Sequence, residues 1–199
     1  MKYISIFLFF IASAPTTTFS QIPTAAEDIS PLLISEKIPD TELYDLENNA
    51  VSTSEIWSAK KTVLLFYRGG WCPYCTSHLS AVGEVENKIE SLGYQIIGVS
   101  PDAPIKNQEV LAKMNNKYQL YHDKGGELMK AIGIAFQTQD RYADMLSDAS
   151  GGANSNLLPV PSIFIVSEDG TIIFEYICPD YKQRMEADLL LSVLKSLKN

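Results

Sequence analysis

Thr62-Val-Leu-Leu-Phe-Tyr-Arg-Gly-Gly-Trp-Cys-Pro-Tyr-Cys75 decides how this chain is read. Val63 to Tyr67 is an unbroken apolar and aromatic run with the length and composition of a buried strand, and Gly69-Gly70 ends it. Two cysteines separated by two residues follow. Leu79, Val82, Val85, Ile89 and Leu92 then recur every three or four positions, which predicts a long helix with one apolar face. The order is strand, tight turn, Cys-x-x-Cys, helix.

That order has chemical consequences. Pro73 suits the first turn of a helix, where a missing N–H costs nothing. Cys72 then stands at the helix N-terminus, facing unpaired backbone N–H groups and the positive end of the dipole. A cysteine so placed has a pKa of about 3.5–7.5 instead of ~8.5. Arg68 adds positive charge nearby, and Cys75 lies one turn further in, more buried and still a thiol. The spacing predicts Cys72 as attacker and Cys75 as resolver.

Trp71-Cys72-Pro73-Tyr74-Cys75 behind an apolar strand resembles the active-site segment of the thioredoxin superfamily. The longer string from Phe66 to Cys75 is similar to the peroxiredoxin-like branch of the alkyl hydroperoxide reductase/thiol-specific antioxidant (AhpC/TSA) family. The resemblance implies a thioredoxin-like α/β fold, with a central mixed sheet flanked by helices and an N-terminal β-hairpin extension. It also implies thiol-dependent redox chemistry with a Cys72–Cys75 disulfide. Val160-Pro161 stands where the superfamily keeps a cis-proline beside the active-site pair, with neighbouring backbone that pairs with substrate, so Pro161 is expected to be cis. Leu65 and Gly69 occupy the positions of the mainstream peroxiredoxin Pro and Thr/Ser, and Phe66 the position of the buried thioredoxin Asp.

Outward from this stretch, Leu43–Leu46 and Val51 around Glu47-Asn-Asn49 predict a short hairpin, with Ser54 capping a brief helix. Tyr94–Ser100 reads as a second buried strand, Lys106–Asn116 as a helix, Tyr118–Tyr121 as a short edge strand and Glu127–Ile134 as a helical stretch. Gln137–Leu158 is polar and is expected to be a long loop. Ser162–Val166 and Thr171–Ile177, joined by Glu168-Asp169-Gly170, require an antiparallel hairpin, and Arg184–Lys198 closes the chain as an amphipathic helix. Strand–helix alternation argues for parallel pairing in the first half.

Trp71 is expected to shield Cys72, and Arg68 to hold the thiolate or a peroxide oxygen. Tyr67 and Tyr74 read as packing residues. His78 and His122 lack metal-site spacing with the cysteines and are expected to be solvated, so neither a metal nor a cofactor is called for. Cys178 is the odd cysteine.

Residues 1–20, with one basic residue, the apolar run Ile4–Ala12 and Thr and Ser up to Ser20, predict a signal peptide cleaved near Ser20–Gln21. Residues 21–40 then form an arm or linker and 41–199 the thioredoxin-like domain. That run is short for a membrane span, so no stable insertion is expected after cleavage. The net charge is −8, without a basic cluster, which argues against a nucleic-acid partner. Export to a periplasmic or extracellular space suits a persistent disulfide. Two chemistries fit. Cys72 attacks a hydroperoxide and an external, thioredoxin-like dithiol recycles the disulfide, or Cys72 exchanges with a protein disulfide. A non-catalytic domain stapled by the pair gains little from so small a loop.

Overall fold

A computed structural model describes residues 21–114 and 118–197. The signal-peptide expectation for residues 1–20 lies outside these. Nine strands and seven α-helices are present among the described residues: β1 Glu42–Tyr44, β2 Ala50–Ser52, α1 Thr53–Ala59, β3 Lys61–Phe66, α2 Pro73–Glu84, α3 Glu86–Ser91, β4 Tyr94–Ser100, α4 Pro104–Met114, β5 Gln119–His122, α5 Glu127–Ala131, β6 Ala135–Gln137, α6 Ala143–Ala149, β7 Leu157–Pro159, β8 Ser162–Val166, β9 Ile172–Ile177 and α7 Ala187–Leu197.

Seven strands make one sheet in the order β2-β1-β5-β4-β3-β8-β9. The centre, β5-β4-β3, is parallel, and every pair outside it is antiparallel. β3 sits mid-sheet and is buried on both faces, as its unbroken apolar run requires. Its side chains alternate. Val63 and Leu65 join α2, α4 and α7 in one core, while Leu64 and Phe66 join α1 and α5 in the other. The strand that carries the cysteines is therefore fixed from both sides.

Several expectations are corrected. The helix after the cysteines is two, broken at Val85 (φ −107°, ψ 6°), two residues after Gly83, a poor helix former. The predicted apolar face survives the break, since Leu79, Val82, Val85 and Ile89 are all buried in one core. Ser52, not Ser54, is the N-cap of α1, and Asp40 Oδ1 accepts from the Ser52 and Thr53 hydroxyls and the Ser54 amide. β5 is no edge strand, because β1 covers its outer side. The Gln137–Leu158 stretch is not a loop: β6 and β7 pair as a separate antiparallel ribbon with α6 between them. Arg184 precedes α7 instead of beginning it.

Residues 21–40 are an arm laid on the domain. Leu32 N–H bonds Ile132 O at 2.8 Å, Ser35 N–H bonds Ile172 O at 2.9 Å, and Ile38 N–H bonds Gly170 O at 2.9 Å.

Candidate active site

The site is built where β3 ends. Tyr67 still continues the ladder, its N–H on Val99 O at 3.1 Å, and its hydroxyl donates to Asn107 Oδ1 at 2.7 Å, so it packs as expected. Gly69 and Gly70 then turn the chain into α2. Gly69 has φ +147°, and a Cβ there would lie 2.2 Å from Trp71 Nε1 and 2.6 Å from Asp102 Oδ1. Only glycine fits. The missing hydroxyl at this position is therefore excluded by space, not merely replaced. The Gly70 amide donates to Asp102 Oδ2 at 2.7 Å, which ties the turn to the segment after β4.

Cys72 is the N-cap residue of α2 and Pro73 its first residue, as the sequence predicts. The Cys75 and Thr76 amides donate to Cys72 O at 3.0 and 3.1 Å. Both cysteines are thiols and both are buried, Cys72 2% and Cys75 0% exposed. Their acidities diverge. The Cys75 thiol, hydrogen-bonded to Cys72, lowers Cys72 to about 6, against the opposing effect of burial. The Cys75 backbone N–H, too loosely placed to count as a cap, helps, as do the charges of Arg68 and Arg184. The same hydrogen bond, together with burial, pushes Cys75 far above the ordinary thiol range. One sulfur is poised as thiolate and the other holds its proton.

A second wall comes from the connection between β9 and α7. Arg68, only 8% exposed, lies between two aromatic rings, its guanidinium carbon 5.0 Å from the Trp71 centroid and 4.4 Å from that of Tyr181. Tyr181 also meets Tyr74 edge-on at 5.7 Å. Arg184 Nη2 donates to Cys75 Sγ at 3.5 Å, while Nη1 donates to Tyr181 O and, at 2.7 Å, to Gln183 O. Arg184 and Tyr181 were not singled out in the sequence, and no local signal marks them. Arg184 reaches Cys75 from 109 positions away. Asp102, 1% exposed, is likewise unannounced; burial pushes its carboxyl up to about 6 against its Gly70 and Trp71 contacts.

Trp71 is half-buried on Arg68 beside Cys72. The Val160–Pro161 bond is trans, since the described residues contain no cis peptide. Trans is the intrinsically preferred isomer. Here the Val160 N–H is bonded to Ile134 O at 2.9 Å, and Pro161 O accepts from Cys178 N–H at 3.2 Å. The backbone expected to receive an extended partner is already paired. Both histidines are also corrected. His78 Nε2 pairs with Met185 O at 3.1 Å, and burial, helped by Arg184, pushes it down to about 4. His122 is buried with Nδ1 2.8 Å from Asp102 O. Cys178 directly follows β9 and is partly exposed.

A mixed sheet carrying a reactive cysteine pair at a strand-to-helix turn defines a thioredoxin-fold thiol oxidoreductase. The AhpC/TSA family profile matches residues 34–175. The chain belongs to that family. It is 23% identical over 154 residues to the thiol-disulfide oxidoreductase ResA of Bacillus thuringiensis, covering 77% of this chain and 75% of ResA. It is 24% identical over 160 residues to the chloroplastic peroxiredoxin Q of Sedum lineare, covering 80% and 76%. In fold it matches reduced Prx3 of Vibrio vulnificus in complex with hydrogen peroxide, with a TM-score of 0.70 at 17% identity over 82% of this chain and 99% of that one.

Proposed function

We propose that the protein reduces small hydroperoxides, with Cys72 as the attacking sulfur and Cys75 as the resolving one. The observation that carries this reading is access. Cys72 is 2% exposed and the Val160 N–H is taken by Ile134, so a small oxidant meets fewer obstacles than a folded disulfide partner. The Cys72 thiolate attacks the outer peroxide oxygen, the O–O bond breaks, and the alcohol or water departs with a proton. The resulting sulfenic acid condenses with the Cys75 thiol, forming the S–S bond and releasing water. An external dithiol, thioredoxin-like in kind, takes the disulfide back to two thiols. The Prx3 structure with hydrogen peroxide bound supports the small-oxidant reading by fold alone.

Disulfide exchange is the second reading, and Gly69 favours it. No hydroxyl can stand there to orient a peroxide, and the hydroxyl of Thr76 is tied to Pro73 O at 3.1 Å. ResA, a relative, bears a thiol-disulfide oxidoreductase name.

The proposal includes export, from the signal-like residues 1–20, which fractionation and N-terminal sequencing of the processed chain would test. For the chemistry, the reduced protein is mixed with hydrogen peroxide and, separately, with a protein disulfide. Fast Cys72 sulfenate formation followed by a Cys72–Cys75 disulfide is expected. Slow peroxide consumption beside rapid protein-disulfide reduction would reverse the order of the two readings.

A further inference from the structure

We propose that Arg184 is a catalytic residue of the resolving step: its guanidinium, held against Cys75 Sγ, stabilises the negative charge that this sulfur develops as it attacks oxidised Cys72. The inference rests on the redox reading of the cysteine pair and holds for either oxidant.

The geometry is specific. Nη2 lies 3.5 Å from Cys75 Sγ, and Nη1 donates to two carbonyls of the β9–α7 connection, Tyr181 O and Gln183 O. Among the described residues no carboxylate lies within ion-pair distance of Arg184. No ion pair therefore competes with Cys75 for its charge. The neighbouring His78 stays neutral and does not compete.

The arrangement switches with the state of Cys72. While Cys72 is a thiolate, Cys75 keeps its proton by donating it to that anion, and the Arg184 hydrogen bond meets a neutral thiol. Oxidation of Cys72 removes the anion. What then faces Cys75 is the Arg184 guanidinium and the Arg68 backbone amide, both of which favour the thiolate. In the disulfide route the Cys75–Cys72 S–S bond forms, the bond from Cys72 to the departing sulfur breaks, and the Cys75 proton ends on the released thiol. In the peroxide route the S–OH bond breaks and the same proton leaves in water.

The test uses the full chain carrying Cys178→Ser, so that only the pair reacts, with one equivalent of 5,5′-dithiobis(2-nitrobenzoate). Attack by Cys72 releases a first thionitrobenzoate, and attack by Cys75 on the mixed disulfide releases a second. With Arg184→Gln the second release should slow roughly tenfold or more, as for a lost charge-assisted hydrogen bond, and the mixed disulfide should accumulate by mass spectrometry. The first release should slow much less, and Arg184→Lys should recover part of the second. A second release at the parent rate in Arg184→Gln overturns the proposal. So does equal slowing of both releases, or an Arg184→Lys protein no faster than Arg184→Gln while both melt like the parent. If the parent itself releases no second equivalent, the resolving role of Cys75 fails and the redox reading of the pair fails with it.

Discussion

The two walls around Cys72 are made differently. One is the end of β3 and the start of α2, eleven residues of continuous chain from Cys75 back to Leu65, in which strand, turn and helix dictate one another. The other is the β9–α7 connection, more than a hundred positions further along, which supplies Tyr181 and Arg184. The first wall makes the sulfur acidic, chiefly through the Cys75 thiol one turn into α2. The second stacks Tyr181 on Arg68 and places a cation on the partner sulfur. A helix that starts on a cysteine can thus be specified locally, while the cation beside its partner sulfur is brought from a distance.

The largest expected effect falls on the first wall. Cys72→Ser should abolish turnover with any oxidant, and retained peroxide or disulfide reduction would show that the local wall does not hold the chemistry. Gly69→Thr, the change that restores the absent hydroxyl, should destabilise the fold by about 2–4 kcal/mol, because it combines a positive φ with three sub-3 Å contacts. Chemical denaturation checks it; an unchanged midpoint would mean the turn is far softer than its geometry.

The pH dependence sharpens the contrast between the sulfurs. Cys72 is depressed to about 6, so its thiolate is complete above neutrality and falls about tenfold per unit below pH 6. Alkylation of Cys72 by iodoacetamide should follow that curve, with Cys75 unlabelled throughout. A midpoint near 8.5 would remove the acidity assigned to the Cys75 hydrogen bond.

Smaller effects belong to the second wall and to Asp102, which holds the Gly70 turn of the first. Tyr181→Ala should cost about 1 kcal/mol through the lost stack on Arg68 and should speed alkylation of Cys72 several-fold. If labelling is unchanged, Tyr181 is no cover. Asp102→Asn keeps an acceptor for Gly70 but no charge. The Asp102 carboxyl is raised above its unfolded value, so its contribution is full below about pH 4 and is lost as pH rises through about 6. The variant should therefore melt higher than the parent at pH 7 and alike at pH 4, and the reverse order would contradict the buried, disfavoured anion.

The sequence made the local wall legible because its signals are short-range. An apolar run, two glycines, a proline one residue past a cysteine and a 3.6-residue repeat are all read within thirty positions, and β3, α2 and the Cys72 N-cap followed from them. It also supplied the β8–β9 hairpin, since a three-residue turn leaves no other pairing. The Gln137–Leu158 segment misled because its polar letters hide three-residue strands, too short to show a period, which form only against each other. The histidines misled for a related reason. A lone histidine carries no mark of burial, and only the arriving Met185 and Asp102 carbonyls decide its state.

By itself, then, the order of residues determined a strand, a glycine turn and a helix that begins on a cysteine, because backbone sterics and unpaired amides act over a few residues. Only the folded chain decided that Pro161 runs trans, that Tyr181 lies across Arg68 and that Arg184 reaches Cys75. Those contacts exist because the central sheet aligns the end of β9 with the end of β3, and no local preference encodes a meeting between segments so far apart.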